Sequence, residues 1–99
     1  MIIHISLFYL KDRSSVPAVV DALKRVPSAN SDILDSRVGE NFSFPPPAPG
    51  LPAFADAAQV ITFPGREEAA SYPSSDAHMN LMREIGGLVD HVAAAEFEA

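Results

Sequence analysis

The sequence predicts an α+β sandwich, a four-stranded antiparallel sheet with both helices on one face, in the order β-α-β-β-α-β. Three observations carry that expectation. Four apolar stretches of strand length are interleaved with two stretches of helical period. Clusters of Pro and Gly punctuate the boundaries between them. The chain has 99 residues, enough for one core and one domain spanning 1–99.

Ile2 to Lys11 reads as the first strand, apolar and aromatic with no Gly or Pro, closing at Lys11-Asp12-Arg13. Ile3, Ile5, Leu7 and Tyr9 make one face, and His4, Ser6, Phe8 and Leu10 make the other. A strand apolar on both faces is expected to be covered on both, by helices below and a second subunit above. Ser14 or Ser15 caps the first helix, with Pro17 in its first turn, where a missing N–H costs nothing. Val16, Val19, Val20, Leu23 and Val26 form its buried stripe, and Pro27 is expected to stop it.

Ser31 to Val38 reads as the second strand, broken by Gly39. Asn41 to Phe54 holds five of the nine prolines and reads as an extended connection, whose aromatics and Leu51 also suit a lid or a partner-clasping arm. Asp56 to Phe63 is the third strand, closed by Pro64-Gly65, and Arg66 to Ser71 makes a short helical turn. Ser74 or Ser75 then caps a helix whose buried face is read as His78, Met82, Ile85 and Val89, with Met79 and Met82 as core filling. Gly86 and Gly87 loosen its end, and Val92 to Phe97 is the last strand.

This element order is that of a ferredoxin-like fold, and right-handed crossovers give the strand order 4-1-3-2. The topology has a chemical consequence. The second helix starts where strand three ends, and strand one starts at that same end, so His4, Tyr72 and His78 should gather there. His91, opening strand four, belongs at the other end.

Composition narrows the partners. Apolar residues make up 47% of the chain, and the net charge is −6, from 13 acids against 7 bases with no basic cluster. That argues against nucleic acid or an anionic membrane as partner. Four apolar strands leave more apolar surface than two helices cover, which predicts a homodimer with an interface above about 1,000 Å². Without cysteine there are no disulfides and no thiolate metal sites. No apolar run approaches a membrane span and the N-terminus lacks a basic region, so a cytoplasmic protein is the expectation.

The opening M-I-I-H-I-S-L-F-Y-L-K-D and the later F-P-G-R-E-E-A-A-S-Y-P-S-S-D-A-H carry a resemblance. They resemble the first strand and the strand-to-helix passage of the stress-responsive dimeric A/B barrel (Dabb) proteins. The resemblance runs over essentially the whole chain, with the proline-rich stretch as the main departure. It implies a dimeric α+β barrel in which two sheets face each other. The olivetolic acid cyclase branch of that family closes a polyketide by aldol condensation through a tyrosine and a histidine in Y-x5-H spacing. Tyr72 and His78 have that spacing, and His4 falls where that branch carries a first-strand histidine. Ser75-Asp76 stands in place of the family's usual His-Pro, and Ala57 in place of a third-strand histidine of the cyclase.

An aldol or lyase-type step needs a base near neutrality and a donor for the developing enolate oxygen. Imidazole, with an ordinary pKa of about 6.5, suits the first task, and a phenol, ordinarily at about 10, suits the second. Tyr72 and His78 are therefore the candidate catalytic pair, with His4, Ser6, Phe8, Met82 and Ile85 as the substrate-binding wall. No cofactor and no metal is implied, although His4 and His78 with Asp76 or Glu96 could form a ligand set. Ser74 has no histidine and acid around it in sequence that would make it a nucleophile. Two function classes stand: a cofactor-independent cyclase or lyase acting on an apolar carbonyl compound, and a non-catalytic stress-response module that binds a ligand or a protein.

Overall fold

The computed structural model describes residues 1–42 and 48–99. Strand β1 (Ile2–Leu10) is central, because its apolar residues on both sides favour a position with neighbours on each edge. It pairs antiparallel with β3 (Ala57–Phe63) and with β4 (Val89–Glu98), while β2 (Asp35–Glu40) pairs with the outer edge of β3. The order β2-β3-β1-β4 is the ferredoxin-like order expected from the sequence. Register fixes which residues share a face. His4 lies opposite Ile61 and Glu96, Ser6 opposite Gln59 and Ala94, and Phe8 opposite Ala57 and Val92. All of these point toward the helices. Ile3, Ile5, Leu7 and Tyr9 point to the open face with Val60, Ala93, Ala95 and Phe97.

Helix α1 (Val16–Ala29) buries Val16, Val19, Ala22, Leu23 and Val26 against the sheet. Val20, expected in that stripe, is only half-buried, and the small Ala22 sits on the buried line instead. Pro27 does not stop the helix, which runs on to Ala29. A proline inside a helix strands the carbonyl four residues earlier, here that of Leu23. The fully buried Gln59 side chain donates from Nε2 to that carbonyl at 3.2 Å, so the sheet satisfies the group that Pro27 leaves free. Gln59→Leu should therefore cost about 1–3 kcal/mol, the usual penalty for stranding a buried acceptor. Pro27→Ala restores an N–H, and the double variant should lose less than the sum of the two. Urea unfolding of the four proteins measures that coupling, and strict additivity would contradict the account.

The second strand begins later than expected and includes Gly39. Asn30 closes a turn at 30–33 by accepting the Asp32 N–H on its side chain at 3.0 Å and the Ile33 N–H on its carbonyl at 3.3 Å. Gly39 pairs with Ala58 inside the ladder and has no positive φ, so it breaks nothing. Strand β4 starts three residues before the expected Val92, because Val89 pairs with Leu10 past an irregularity at Tyr9 and Leu10. In the stretch read as a lid or arm, Phe42, Leu51 and Phe54 are exposed and residues 43–47 lie outside the described residues.

After β3, helix α2 (Arg66–Ser71) passes through a 3-10 turn (Tyr72–Ser74) into helix α3 (Asp76–Ile85). Its buried line is Ala77, Leu81 and Ile85, spaced by four, and His78 and Met82 flank that line half-buried. The expected stripe through His78, Met82, Ile85 and Val89 is thus shifted by one position, and Val89 already belongs to β4. Met79, expected as core filling, is 45% exposed. Among the described residues no helix is long and apolar enough to cross a membrane.

Candidate active site

Tyr72 and His78 are brought together by a stretch of purely local structure. Pro73 fixes φ for the 3-10 turn, and Ser75 ends it in an extended conformation that caps α3. The Ser75 hydroxyl works in both directions. It donates to the Tyr72 carbonyl at 2.6 Å and accepts the His78 backbone N–H at 3.3 Å. The chain between the two rings is thereby folded back, and their centroids stand 5.1 Å apart, edge to face.

The His78 ring is held by one further bond, from Nδ1 to the Pro73 carbonyl oxygen at 3.0 Å. A carbonyl oxygen only accepts, so the bonding pattern assigns the proton to Nδ1. In the neutral ring Nε2 then carries the lone pair and is the atom able to take a proton. The backbone of the turn thus sets the tautomer that a general base requires.

Tyr72 is 4% exposed, and its hydroxyl has no hydrogen-bond partner among the described residues. Its ring packs against Phe63 at 5.3 Å and His4 at 6.2 Å. Burial pushes its pKa up to about 12. The phenol is therefore a donor at neutral pH, and a buried donor without a partner costs about 1–3 kcal/mol unless something accepts from it. Because the folded pKa lies above the unfolded one, the unfolded chain loses this proton first. Stability should fall as pH rises from about 10 to about 12. Tyr72→Phe should abolish that loss, and phenolate absorbance in a Tyr9→Phe background reads the Tyr72 titration directly. A Tyr72 phenolate forming near pH 10 would contradict the burial account.

His4, Ser6, Phe8, Tyr72, His78 and Met82 line one cavity of about 140 Å³ between the sheet and α3. Ile85, expected in the same wall, is packed in the core at 1% exposure and is not part of the lining. Leu81, Gln59 and Val92 complete the lining. The helix period places Leu81 beside His78, but Gln59 and Val92 are visible only once strand register is known. His91 lies at the opposite end, stacked on Tyr9 with centroids 4.2 Å apart.

Glu96, which the sequence offers only as a metal ligand, stands beside His4. Glu96 Oε2 lies 3.2 Å from His4 Nδ1, close enough for an ion pair but not aligned as a hydrogen bond, so that Nδ1 is otherwise unpartnered. The other His4 nitrogen, Nε2, is 2.9 Å from the Ser6 hydroxyl oxygen. Among the described residues no three His, Cys, Asp or Glu side chains stand together as a metal-binding group.

A larger cleft, about 650 Å³, opens on the other face of the sheet against Leu7, Tyr9, Ala58, Val60, Phe42 and Phe54. It is the roomier space, but neither Tyr72 nor any histidine lines it, and the carboxylate among its described walls, Glu40, is exposed and lies 3.7 Å from Arg13.

No family model and no curated protein matches this chain. Solved structures do. A dimeric ferredoxin-like protein of unknown function from Thermobifida fusca is similar at 24% identity, with a TM-score of 0.77 over 99% of this chain and 90% of the other. A protein from Arabidopsis thaliana is similar at 17% identity, with a TM-score of 0.79 over 100% of this chain and 95% of the other. A Dabb family protein with a ferredoxin-like fold from Mesorhizobium loti is similar at 16% identity, with a TM-score of 0.75 over 99% of this chain and 95% of the other. At these identities the likeness is one of fold.

Proposed function

We propose that this protein is a homodimeric, Dabb-like acid–base enzyme of the cyclase or lyase type, acting on an apolar carbonyl compound without a cofactor. The observation that carries the reading is one cavity lined by both Tyr72, whose hydroxyl is buried without a partner, and His78, whose Nδ1 is committed to backbone. In this reading the substrate oxygen accepts from Tyr72, and His78 Nε2 removes the proton on the neighbouring carbon. The charge that develops on the enolate oxygen is met by a donor already in place in an apolar surrounding. The enolate carbon then attacks a second carbonyl, and the imidazolium returns its proton to the alkoxide formed.

Cavity size limits the substrate. Sites for whole drug-sized ligands run to about 300–1,000 Å³. A cavity of about 140 Å³ takes a small carbonyl compound or the reacting end of a longer polyketide-like chain. Dimerisation is supported by the open face, where Ile3, Ile5, Leu7, Tyr9 and Val60 are only half-buried in the single chain and Phe97 is exposed. The similarity to a structure described as dimeric supports it further.

The test is turnover of β-polyketone and simple ketone substrates by wild type, followed as loss of substrate against buffer. Turnover above buffer is the expected result; none with any of them would remove the catalytic reading. The apolar cleft on the open face favours the alternative, a non-catalytic module that binds an apolar ligand or a protein. Ligand binding with no turnover would move the reading there.

A further inference from the structure

We propose that the cavity holds a second reactive constellation, in which Ser6 is a nucleophile, His4 its base and Glu96 the carboxylate that orients the base. The three side chains lie in series. Ser6 Oγ is 2.9 Å from His4 Nε2, and His4 Nδ1 is 3.2 Å from Glu96 Oε2. Strand pairing produces this line. Glu96 sits directly opposite His4 across the β1–β4 ladder, and Ser6 is two residues along the same face of β1. The imidazole is held edge-on between Phe63 and Tyr72, at 6.5 and 6.2 Å, with Nε2 at hydrogen-bond distance from the hydroxyl and Nδ1 beside the carboxylate.

Hydroxyl, imidazole and carboxylate in that order are the groups that activate a serine for acyl transfer. The carboxylate only accepts, so it favours the tautomer with the proton on Nδ1 and the lone pair on Nε2, facing Ser6. Glu96 is about half exposed on an outer strand, and the proposal requires its side chain to turn so that the 3.2 Å contact comes into line. Ser6 itself is 7% exposed and lines the cavity, so an ester seated there meets it away from bulk water. The unpartnered Tyr72 hydroxyl in the same cavity is the donor available to the oxyanion.

The substrate class is a short-chain acyl ester, small enough for about 140 Å³ and apolar enough for Phe8, Leu81 and Met82. In the first step the Ser6 oxygen bonds to the acyl carbon, its proton passes to His4 Nε2, and the ester C–O bond breaks. The same proton leaves with the alcohol. Water then attacks the acyl carbon and gives one proton to His4 Nε2, the acyl–oxygen bond to Ser6 breaks, and that proton returns to the Ser6 oxygen as the acid leaves. Ester and water become acid and alcohol, with no oxidant or reductant.

Ser6 and His4, named above as substrate wall, here act as nucleophile and base, and the proposal does not require proton abstraction by His78. Incubation of the wild-type protein with 4-nitrophenyl acetate, followed by intact mass and peptide mapping, tests it. The expected result is one acetyl group on Ser6 and a burst of nitrophenol. The adduct should be absent in Ser6→Ala, and its formation should slow about 10²-fold or more in His4→Asn. It should slow measurably in Glu96→Gln. Thermal unfolding of each variant establishes that it is folded, and Ser6→Cys supplies a second nucleophile of similar size should Ser6→Ala fail. Acetyl groups only on lysine, the N-terminus or His4, or Ser6 labelling at an unchanged rate in His4→Asn or Glu96→Gln, would overturn the proposal. The label is read with an ester and proton abstraction with a ketone, so either reading can fail alone.

Discussion

His78→Ala should lower turnover of a carbonyl substrate by about 10²- to 10⁴-fold, the usual cost of losing a positioned general base. The size of the effect follows from the placement of the ring. Pro73 holds Nδ1, so the lone pair of Nε2 has no competing intramolecular assignment by a carbonyl. Tyr72→Phe should cost less, about 10- to 10³-fold, because it removes one donor and keeps the ring packed on Phe63 and His4. His78→Gln is an informative third variant, since an amide can donate to the Pro73 carbonyl but cannot act as a base at neutral pH. Activity that survives in His78→Ala would reassign the base.

Ile5→Glu should convert a dimer into a monomer. Ile5 lies in the middle of the open face, opposite Val60 on one side and Ala95 on the other. A two-fold interface repeats each substitution, so two carboxylates would be buried on an apolar surface at several kcal/mol each. Every 1.4 kcal/mol is tenfold in affinity, which puts the expected weakening at about 10³-fold or more. Light scattering of wild type at micromolar concentration should give twice the 10.6 kDa chain mass, and a single-chain mass would remove the dimer from the account.

The sequence and the structure agree where the governing signal is local. Tyr72, Pro73, Ser75 and His78 lie within seven residues, and caps, turns and helix period decide their geometry. The four-strand order is likewise legible, because connection lengths and handedness leave few arrangements. The two differ where the outcome depends on distant partners. Pro27 is tolerated because Gln59, from a strand far along the chain, bonds the carbonyl it strands. The one-position shift in α3 leaves the small Ala77 buried and the wider His78 half-buried beside it. Glu96 beside His4 requires the β1–β4 register, which apolar patterning alone does not fix when the last strand reads Ala-Ala-Ala. Cavity volume is a property of packing among five elements and has no sequence signature.

The measurement closest to the central claim is hydrogen exchange at the carbon beside a ketone, followed by NMR in deuterated water. It reads proton abstraction alone and needs neither the second carbonyl nor release of a cyclised product. With a small 1,3-diketone or methyl ketone, wild type should incorporate deuterium faster than buffer, Tyr72→Phe more slowly, and His78→Ala at the buffer rate. Equal exchange in wild type and His78→Ala, or none above buffer in wild type, would contradict the assignment of Tyr72 and His78 as an acid–base pair.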